Sequence, residues 1–171
     1  MITVDPAVAL KAFRPESCVF VISVEEDGRP SGMVAGWNMR CSDEPPLFAV
    51  SLWKEGYTHN LIQQSKEFVV AVPNQSLVNE VEYFGSHHGN EVDKFTESKI
   101  ETAKASKVRP PLIKNATINL ECNLVKEVDS GDHIIFIGRV VAAHINEGKK
   151  VLLNMGRVNN KRVFQEFAKA G

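Results

Sequence analysis

Runs of hydrophobic residues along the chain predict a mainly β protein. Cys18–Val24 is rich in β-branched residues and predicts the first strand. The turn signal Asp27-Gly28 follows, and Ser31–Trp37 predicts the returning strand of a hairpin. Pro45-Pro46 breaks regular pairing because neither residue can donate a ladder hydrogen bond. Directly after it, Leu47–Trp53 predicts a third strand.

Helical signals fall in the middle of the chain. Thr58 is a suitable N-cap for a short helix, Glu67–Val72 predicts a fourth strand, and Ser76 is placed to cap a second helix. Segment 85–111 is polar and irregular, with a short helix predicted at Glu91–Phe95. Loops of that length are uncommon unless they carry a function.

The C-terminal part returns to strands, predicted at Ala116–Val125, His133–Ala142 and Lys161–Phe164. About six short strands with two or three inserted helices indicate an antiparallel barrel with helical additions. The regular βα alternation of a doubly wound sheet is missing, as are the glycine-rich phosphate loops GxGxxG and GxxxxGK[ST]. A length of 171 residues fits a single domain over 1–171.

Composition favours a small-molecule partner. Hydrophobic residues make up 43% and charged residues 24%, and the formal net charge is −1. This balance shows no excess of positive charge of the kind that binds nucleic acid or an anionic membrane. A modest basic cluster near the C-terminus is interpreted as solvated surface. Its members are Lys149, Lys150, Arg157, Lys161 and Arg162.

The sequence favours a cytoplasmic location. An acidic residue stands in the N-terminal Met1–Pro6 where a secretory signal needs basic residues, and the longest apolar stretches are far too short to span a membrane. Cys18, Cys41 and Cys122 are odd in number and widely spaced, which disfavours a disulfide framework and a CxxC motif.

Five motifs in one order resemble the flavin reductase-like (flavoredoxin) family. The first is Gly32–Leu52, with a Trp, four variable residues, a Ser, and then Pro-Pro-Leu. The other four are Thr58-His59-Asn60-Leu61-Ile62, Glu67-Phe68-Val69-Val70, Asp93-Lys94-Phe95 and Gly131–Gly138. Each motif alone is weak, but five in register are fairly specific.

The resemblance implies a fold and a cofactor. That family belongs to the FMN-binding split β-barrels, which are antiparallel and of Greek-key type, and it implies bound FMN, a homodimer and electron transfer through the flavin. A half-barrel flavin site needs a second wall, and segment 85–111 is the natural arm to supply it.

The resemblance also implies an activity, with alternatives. We expect an NAD(P)H-dependent flavin reductase that passes electrons to free flavin, ferric iron or a partner protein. One alternative is a flavoredoxin-type FMN electron carrier without direct NAD(P)H use, since nothing in the sequence marks a dinucleotide pocket. Another is an interaction protein that keeps the barrel without flavin. The choice between NADH and NADPH stays open.

The residue types suit a flavin nucleotide. An isoalloxazine needs a flat apolar wall and hydrogen-bonding groups, and Gly36–Arg40 offers an aromatic ring, an amide and a cation. A phosphate needs N–H donors, hydroxyls and positive charge, which Lys54, Thr58, His59 and a helix start could supply. The resemblance carries cofactor contact to Gly36, Trp37, Asn38, Met39, Arg40, Ser51, Leu52, Trp53, Lys54, Thr58, His59 and Asn60.

Several of these residues also have plainer interpretations. Without the family, Trp37 and Trp53 are better explained as barrel core. Cys41 could tune a flavin, although a small buried hydrophobe is the better explanation. His133 is a candidate residue for positioning nicotinamide or substrate, although a structural role, with its ring bonded to a neighbouring strand, is the better explanation.

Two further motifs have structural explanations. Adjacent His87 and His88 cannot both point readily at one ion, so a solvent-exposed loop pair is favoured and no metal site is expected. Asp93-Lys94-Phe95 is interpreted as a capped helical turn whose Phe plugs the barrel.

Overall fold

The computed structural model describes residues 1–148 and 150–167. Short helices are inserted between the strands, chiefly in the middle of the chain. They are α1 (Pro6–Lys11), α2 (Tyr57–Ser65), α3 (Val78–Phe84) and α4 (Lys94–Ser98), with a 3₁₀ turn at Gln75–Leu77. No helix within the described residues has the length and apolar character that crossing a bilayer requires.

Strands dominate the described part of the chain, and all their pairings are antiparallel. They are β1 (Glu16–Ser17), β2 (Val19–Val24), β3 (Pro30–Ala35), β4 (Asn38–Ser42), β5 (Leu47–Trp53), β6 (Glu67–Val72), β7 (Thr102–Ala103), β8 (Leu112–Ile113), β9 (Ile118–Ser130), β10 (His133–Ile145), β11 (Val151–Val158) and β12 (Lys161–Phe167). Seven strands form the main sheet in the order β3-β2-β6-β9-β10-β5-β4, while β1-β11-β12 and β7-β8 form two small sheets.

The main sheet curls because its two edge strands are adjacent in sequence. β3 ends at Ala35 and β4 begins at Asn38, so only Gly36 and Trp37 connect opposite edges of a seven-stranded sheet. Two residues reach about 7 Å, whereas strands at opposite edges of a flat sheet would lie roughly 28 Å apart. The sheet therefore bends until its edges meet, which confirms the expected split barrel.

The core occupies both faces of the curled sheet. β2 is buried at all six positions. Phe20 and Ile22 belong to one apolar cluster with Phe84 and Leu152, and the alternate residues of β2 belong to a second cluster inside the barrel. A strand buried on both faces reads as a continuous apolar run, which is why its sequence is so easily recognised.

Gly138 allows two strands to approach closely inside the barrel. A β-carbon built on Gly138 would lie 2.4 Å from Cζ of Phe68 and 2.8 Å from Cβ of Cys122. No side chain fits there without movement of a fully buried aromatic ring, since Phe68 is 0% exposed. The glycine of the Gly131–Gly138 motif thus has a packing role.

Three predicted helix starts are shifted. The N-cap of α2 is Gly56, and Thr58 lies inside the helix. Asn74 rather than Ser76 caps the 3₁₀ turn, because its side chain accepts the Ser76 N–H. The helix predicted at Glu91–Phe95 is α4, which begins one residue after its cap, Asp93. In each case the observed N-cap lies one to three residues from the start that the sequence pattern suggested.

The predicted bounds of β5 and β6 are confirmed, but other strands were missed or predicted too short. The strand predicted at Ser31–Trp37 is β3, which ends at Ala35 because the chain switches sheet edge at Gly36 and Trp37. The separate strand β4 was missed. β9 and β10 are 13 residues each and extend past their predicted ends through β-bulges. The prediction also missed β1, β7, β8, β11 and helix α1.

Candidate functional site

β4, β5 and β10 form a platform at the split of the barrel. Asn38 and Met39 of β4 pair with Val50 and Ala49 of β5, and the backbone N–H of Ser51 donates to the carbonyl of Trp37 at 2.9 Å. A cavity of about 190 Å³ opens on this platform, which we call the strand cavity. It is lined by Trp37, Asn38, Met39, Ala49, Ser51 and Ile135.

Large aromatic faces at this platform are exposed. Trp37 is 57% exposed and Trp53 is 48% exposed, so the interpretation of both as barrel core is wrong. The ring of His133 lies against Trp37 with centroids 4.7 Å apart, and His133 pairs in register with Trp53. Trp37, His133 and Trp53 therefore lie near one another on this side of the platform, with the rings of Trp37 and His133 tilted by 39°. Together they offer aromatic surface on which a ring system can pack.

Asn38 and Gly36 are engaged within the chain. The Asn38 amide donates to the carbonyls of Ala35 and Gly36 at 3.2 and 3.1 Å, and its oxygen accepts from the Ser17 hydroxyl at 2.8 Å. A β-carbon on Gly36 would lie 2.8 Å from a carboxylate oxygen of Glu16. The side chain of Asn38 thus fixes the turn between β3 and β4, and the close approach at Gly36 is to Glu16.

The start of α2 presents unsatisfied donors. Its N-cap, Gly56, has an extended backbone and provides no side-chain hydrogen bond to the helix. The first N–H groups of a helix have no intrahelical partner, and they carry the positive end of its dipole. Thr58 is buried in this first turn, and no hydrogen bond to its hydroxyl occurs within the described residues. This arrangement suits an anion.

His59 is a buried histidine with one unpartnered nitrogen. It is 6% exposed, and its ring packs edge-on against Phe136 at 5.2 Å. Nδ1 lies 3.1 Å from the side-chain oxygen of Asn60, and because a carbonyl oxygen only accepts, this bond places a proton on Nδ1. Nε2 is buried and has no hydrogen-bond partner within the described residues. A buried polar atom without a partner costs about 1–3 kcal/mol, so a ligand that reached Nε2 would relieve that cost.

A larger cavity of about 420 Å³, which we call the α2 cavity, lies between the start of α2 and the loop after α3. Trp53, Thr58 and Asn60 line one side, and residues 87–91 line the other. Trp53 also borders His133 across the β5–β10 pair, so the aromatic surface connects the α2 cavity with the strand cavity. Together they form a groove, which we call the split groove.

Lys94 supports the loop side of this groove. It is 4% exposed, and its ammonium donates to the carbonyls of Gly32 and Phe84 at 3.0 and 2.9 Å. Burial lowers the pKa of Lys94 to about 8. Asp93 caps α4, so the expected capped turn is confirmed. Phe95 packs edge-on against Phe84 at 5.2 Å in the cluster on the other face of the sheet, so the expectation that it plugs the barrel is wrong. The sequence interpretation missed the anchoring role of Lys94 itself.

The remaining predicted residues lie around the groove without lining it. Leu52 is 1% exposed and belongs to the barrel core, and Arg40 is exposed on the edge strand β4. Lys54 forms an ion pair with Asp129 at 2.7 Å, which lowers the pKa of that carboxyl. Cys41 is exposed at the β4 bulge, so its interpretation as a small buried hydrophobe is wrong: the bulge leaves it outside the β4–β5 pairing.

His133 has a local charged partner. Its Nδ1 lies 2.6 Å from a carboxylate oxygen of Asp132, and that contact lowers the pKa of Asp132. His87 and His88 are exposed, as predicted, and no cluster of metal-ligating side chains occurs in residues 1–148 and 150–167. Both histidines also line the α2 cavity, a role that nothing in their sequence context indicates.

Comparison with known proteins places the chain in a family. A family model described as a flavin reductase-like domain matches residues 14–161. The chain belongs to the flavin reductase-like family. It is 31% identical over 137 residues to a ferric-chelate reductase (NAD(P)H) of Archaeoglobus fulgidus, a match covering 78% of this chain and 79% of that protein. The aligned segments span only 48% and 63% of uncharacterised proteins from Aeropyrum pernix and Pyrococcus abyssi.

Solved structures agree with the family assignment. The NADH:FAD oxidoreductase of Streptomyces globisporus superposes with a TM-score of 0.84 at 26% identity, covering 99% of each chain. An FMN-binding protein of Thermus thermophilus gives a TM-score of 0.82 at 27% identity, covering 99% of this chain and 98% of that one. The flavoredoxin of Desulfovibrio vulgaris has the same fold, with a TM-score of 0.83 at 22% identity over 99% and 95% of the two chains.

Proposed function

We propose that the chain binds FMN in the split groove and is an NAD(P)H-dependent flavin oxidoreductase. The observation that carries the proposal is the unpartnered Nε2 of the buried His59, next to an uncapped helix start. One phosphate group would complement both features, because its oxygens accept from the N–H groups of the helix and it can share a proton with Nε2.

A flavin nucleotide would occupy both cavities of the groove, with one end in each. The α2 cavity, with Thr58 and Asn60, takes the phosphate end, and the strand cavity takes the ring beside Trp37 and Ser51. Trp37 is 57% exposed and can contact the ring, while Leu52 is buried in the core beneath the platform. When bound, FMN supplies a ring that accepts a hydride from reduced nicotinamide and passes electrons to an acceptor.

The protein contributes position and polarity to this chemistry. His133 contacts Asp132 through Nδ1 and lies against Trp37, so it borders the ring side of the groove and is placed to orient the nicotinamide. The relatives named as reductases of ferric chelate and of FAD support small electron acceptors, and a structural relative was solved with NAD and FAD fragments. Free flavin, ferric iron or a partner protein are the acceptors that we propose.

A homodimer completes the proposed site. Trp37, Met39 and Trp53 are exposed apolar residues at the groove, and a third cavity joins Trp37 to the exposed Leu10 and Phe13. An apolar surface of this kind marks a ligand or subunit interface. The three cysteines are free, which agrees with the proposed cytoplasmic location.

The test is the absorbance of the purified protein after incubation with FMN and removal of unbound flavin. The proposal predicts a yellow protein whose oxidised flavin bands bleach when NADH or NADPH is mixed in anaerobically. Bleaching by dithionite alone would favour the electron-carrier alternative. A colourless protein would contradict the proposal as a whole.

A further inference from the structure

A second cleft adjoins the α2 cavity. Its volume is about 610 Å³, and Gly85 lines both spaces. Ser86 lines this cleft and the next residue, His87, lines the α2 cavity, so the backbone at these two residues separates the two spaces. The β11–β12 hairpin forms the other wall of the cleft with Arg157, Asn160, Lys161 and Arg162. We call this space the basic cleft.

The basic cleft has an excess of positive charge. Its lining includes three cations and one carboxylate, that of Glu82, which leaves two uncompensated positive charges. Across residues 1–148 and 150–167, none of the three cations takes part in an ion pair. Among the arginines in residues 1–148 and 150–167, Arg14, Arg29 and Arg109 are paired with carboxylates, whereas Arg40 and Arg139, like the cleft arginines, are not.

Two of the cations are held side by side by the hairpin. Arg157 lies directly opposite Arg162 in the β11–β12 register. The hairpin turns at Asn159 and Asn160, whose φ angles of 48° and 63° are those of a tight two-residue turn. Like charges directly opposite each other destabilise a strand pair, so the sequence maintains an unfavourable arrangement here. A ligand with two or more anionic oxygens would compensate it, because guanidinium groups bind such groups in bidentate fashion.

Arg162 links the basic cleft to the split groove. A β-carbon built on Gly85 would lie 2.5 Å from Nη1 of Arg162, so the guanidinium rests on the backbone that ends α3. The carboxyl end of a helix favours a cation, which fixes Arg162 at the junction. The side chains of Arg157 and Lys161, by contrast, are exposed to solvent and accessible to a ligand in the cleft.

We propose that the basic cleft binds the ribose 2′-phosphate of NADPH and makes the protein prefer NADPH to NADH. The inference rests on the proposed function and assigns its nicotinamide substrate. A phosphate at the start of α2 would be held chiefly by backbone N–H groups, His59 and the Thr58 hydroxyl, which leaves the charged cleft beyond Gly85 for a second phosphate. A dianionic phosphate monoester matches the two excess positive charges.

The experiment compares the wild type with the double variant Arg157→Gln/Lys161→Gln. The matched control is Lys126→Gln/Arg139→Gln, which removes the same charge from exposed positions outside the cleft lining. Isothermal titration with adenosine 2′,5′-bisphosphate, 5′-AMP and inorganic phosphate measures binding directly. We expect the bisphosphate to bind the wild type and the control alike, and the cleft variant about 10-fold or more weaker, with 5′-AMP unaffected.

Kinetics of the FMN-loaded protein give the second readout. The cleft variant should show a KM for NADPH about 10-fold higher, with kcat and the KM for NADH unchanged. An equal loss with both nucleotides, or with the control variant, would overturn the inference while leaving the reductase function intact. A protein that binds the bisphosphate through the cleft but oxidises neither nucleotide would instead contradict the proposed function.

Discussion

At the scale of single residues, the site is marked by side chains in environments that the fold alone does not require. Trp37 and Trp53 expose about half of their surfaces, and His59 buries a nitrogen without a partner. Each arrangement has a cost in the isolated chain, since exposed aromatic surface and unsatisfied polar atoms are both unfavourable. The same arrangement becomes favourable when a ligand with a flat ring and an anionic group occupies the groove.

The substitution His59→Leu separates a ligand role from a structural role. Removing the unpartnered Nε2 while keeping most of the side-chain volume should leave the unfolding free energy of the apoprotein unchanged or raise it by about 1 kcal/mol. FMN affinity should fall about 10-fold or more, because the phosphate loses a buried donor. Urea denaturation and FMN titration measure the two effects. Lower stability with unchanged affinity would identify His59 as a structural residue.

Gly138→Ala tests the close packing inside the barrel. The new methyl group would lie against the ring of Phe68 and the β-carbon of Cys122, both in the core. Overpacking of this type costs about 1–3 kcal/mol. We expect a lower midpoint of urea unfolding with an unchanged m-value. An unaltered midpoint would show that the core rearranges around the added methyl group without loss of stability.

At the scale of elements, a buried carboxylate joins the 105–108 loop to the strands. Glu121 of β9 is 0% exposed and accepts hydrogen bonds from the Ser106 N–H and hydroxyl, the N–H groups of Lys107 and Val108, and Nε2 of His144. Burial by itself would raise the pKa of Glu121, but these hydrogen bonds outweigh it and lower the pKa to about 2. The loop is thus anchored by the charged form of this residue.

Acid titration tests this anchor. Because the pKa of Glu121 is lower in the folded state than in the unfolded chain, its stabilisation is complete above the unfolded value of about 4.3 and is lost as the pH falls toward 2. Glu121→Gln, whose amide has one oxygen to accept these donors, should lower the unfolding free energy at pH 7 by about 2–4 kcal/mol. Its stability should also fall less steeply than that of the wild type between pH 5 and roughly 2. Parallel pH profiles for the two proteins would contradict this role.

The sequence predicted some elements well and others poorly, for physical reasons. β2 was recognised because burial on both faces makes it a continuous apolar run, whereas β11 includes Asn154 and Gly156 at a bulge and has no such run. Residues that line the groove from β4, β5 and α2 were found through motifs adjacent in sequence. The 87–91 wall and the junction at Gly85 come together only through tertiary folding, so no local pattern indicates them.

At the scale of the whole molecule, the two-residue link between β3 and β4 determines where the groove lies. Because Gly36 and Trp37 must connect opposite edges of the sheet, the barrel splits there, and the exposed apolar residues collect at the split. α1 has no buried residue, and its Leu10 and the following Phe13 extend the same apolar surface. A second copy of the chain would cover this surface and close the groove.

Light scattering after size exclusion tests the dimer. We expect a mass of twice the 19.0 kDa chain. The substitution Met39→Glu, which places a charge on the exposed edge strand, should shift the protein to monomer and weaken FMN binding together with it. A wild-type monomer that binds FMN tightly would contradict the dimer and leave the groove as a site within one chain.

The most direct test of the central claim is a crystal structure of the protein soaked with FMN. The account predicts flavin density in the split groove, with the phosphate at the first turn of α2 within hydrogen-bonding distance of Nε2 of His59 and the ring beside Trp37 and Ser51. An empty groove in crystals exposed to saturating FMN, or flavin bound at another surface, would contradict it.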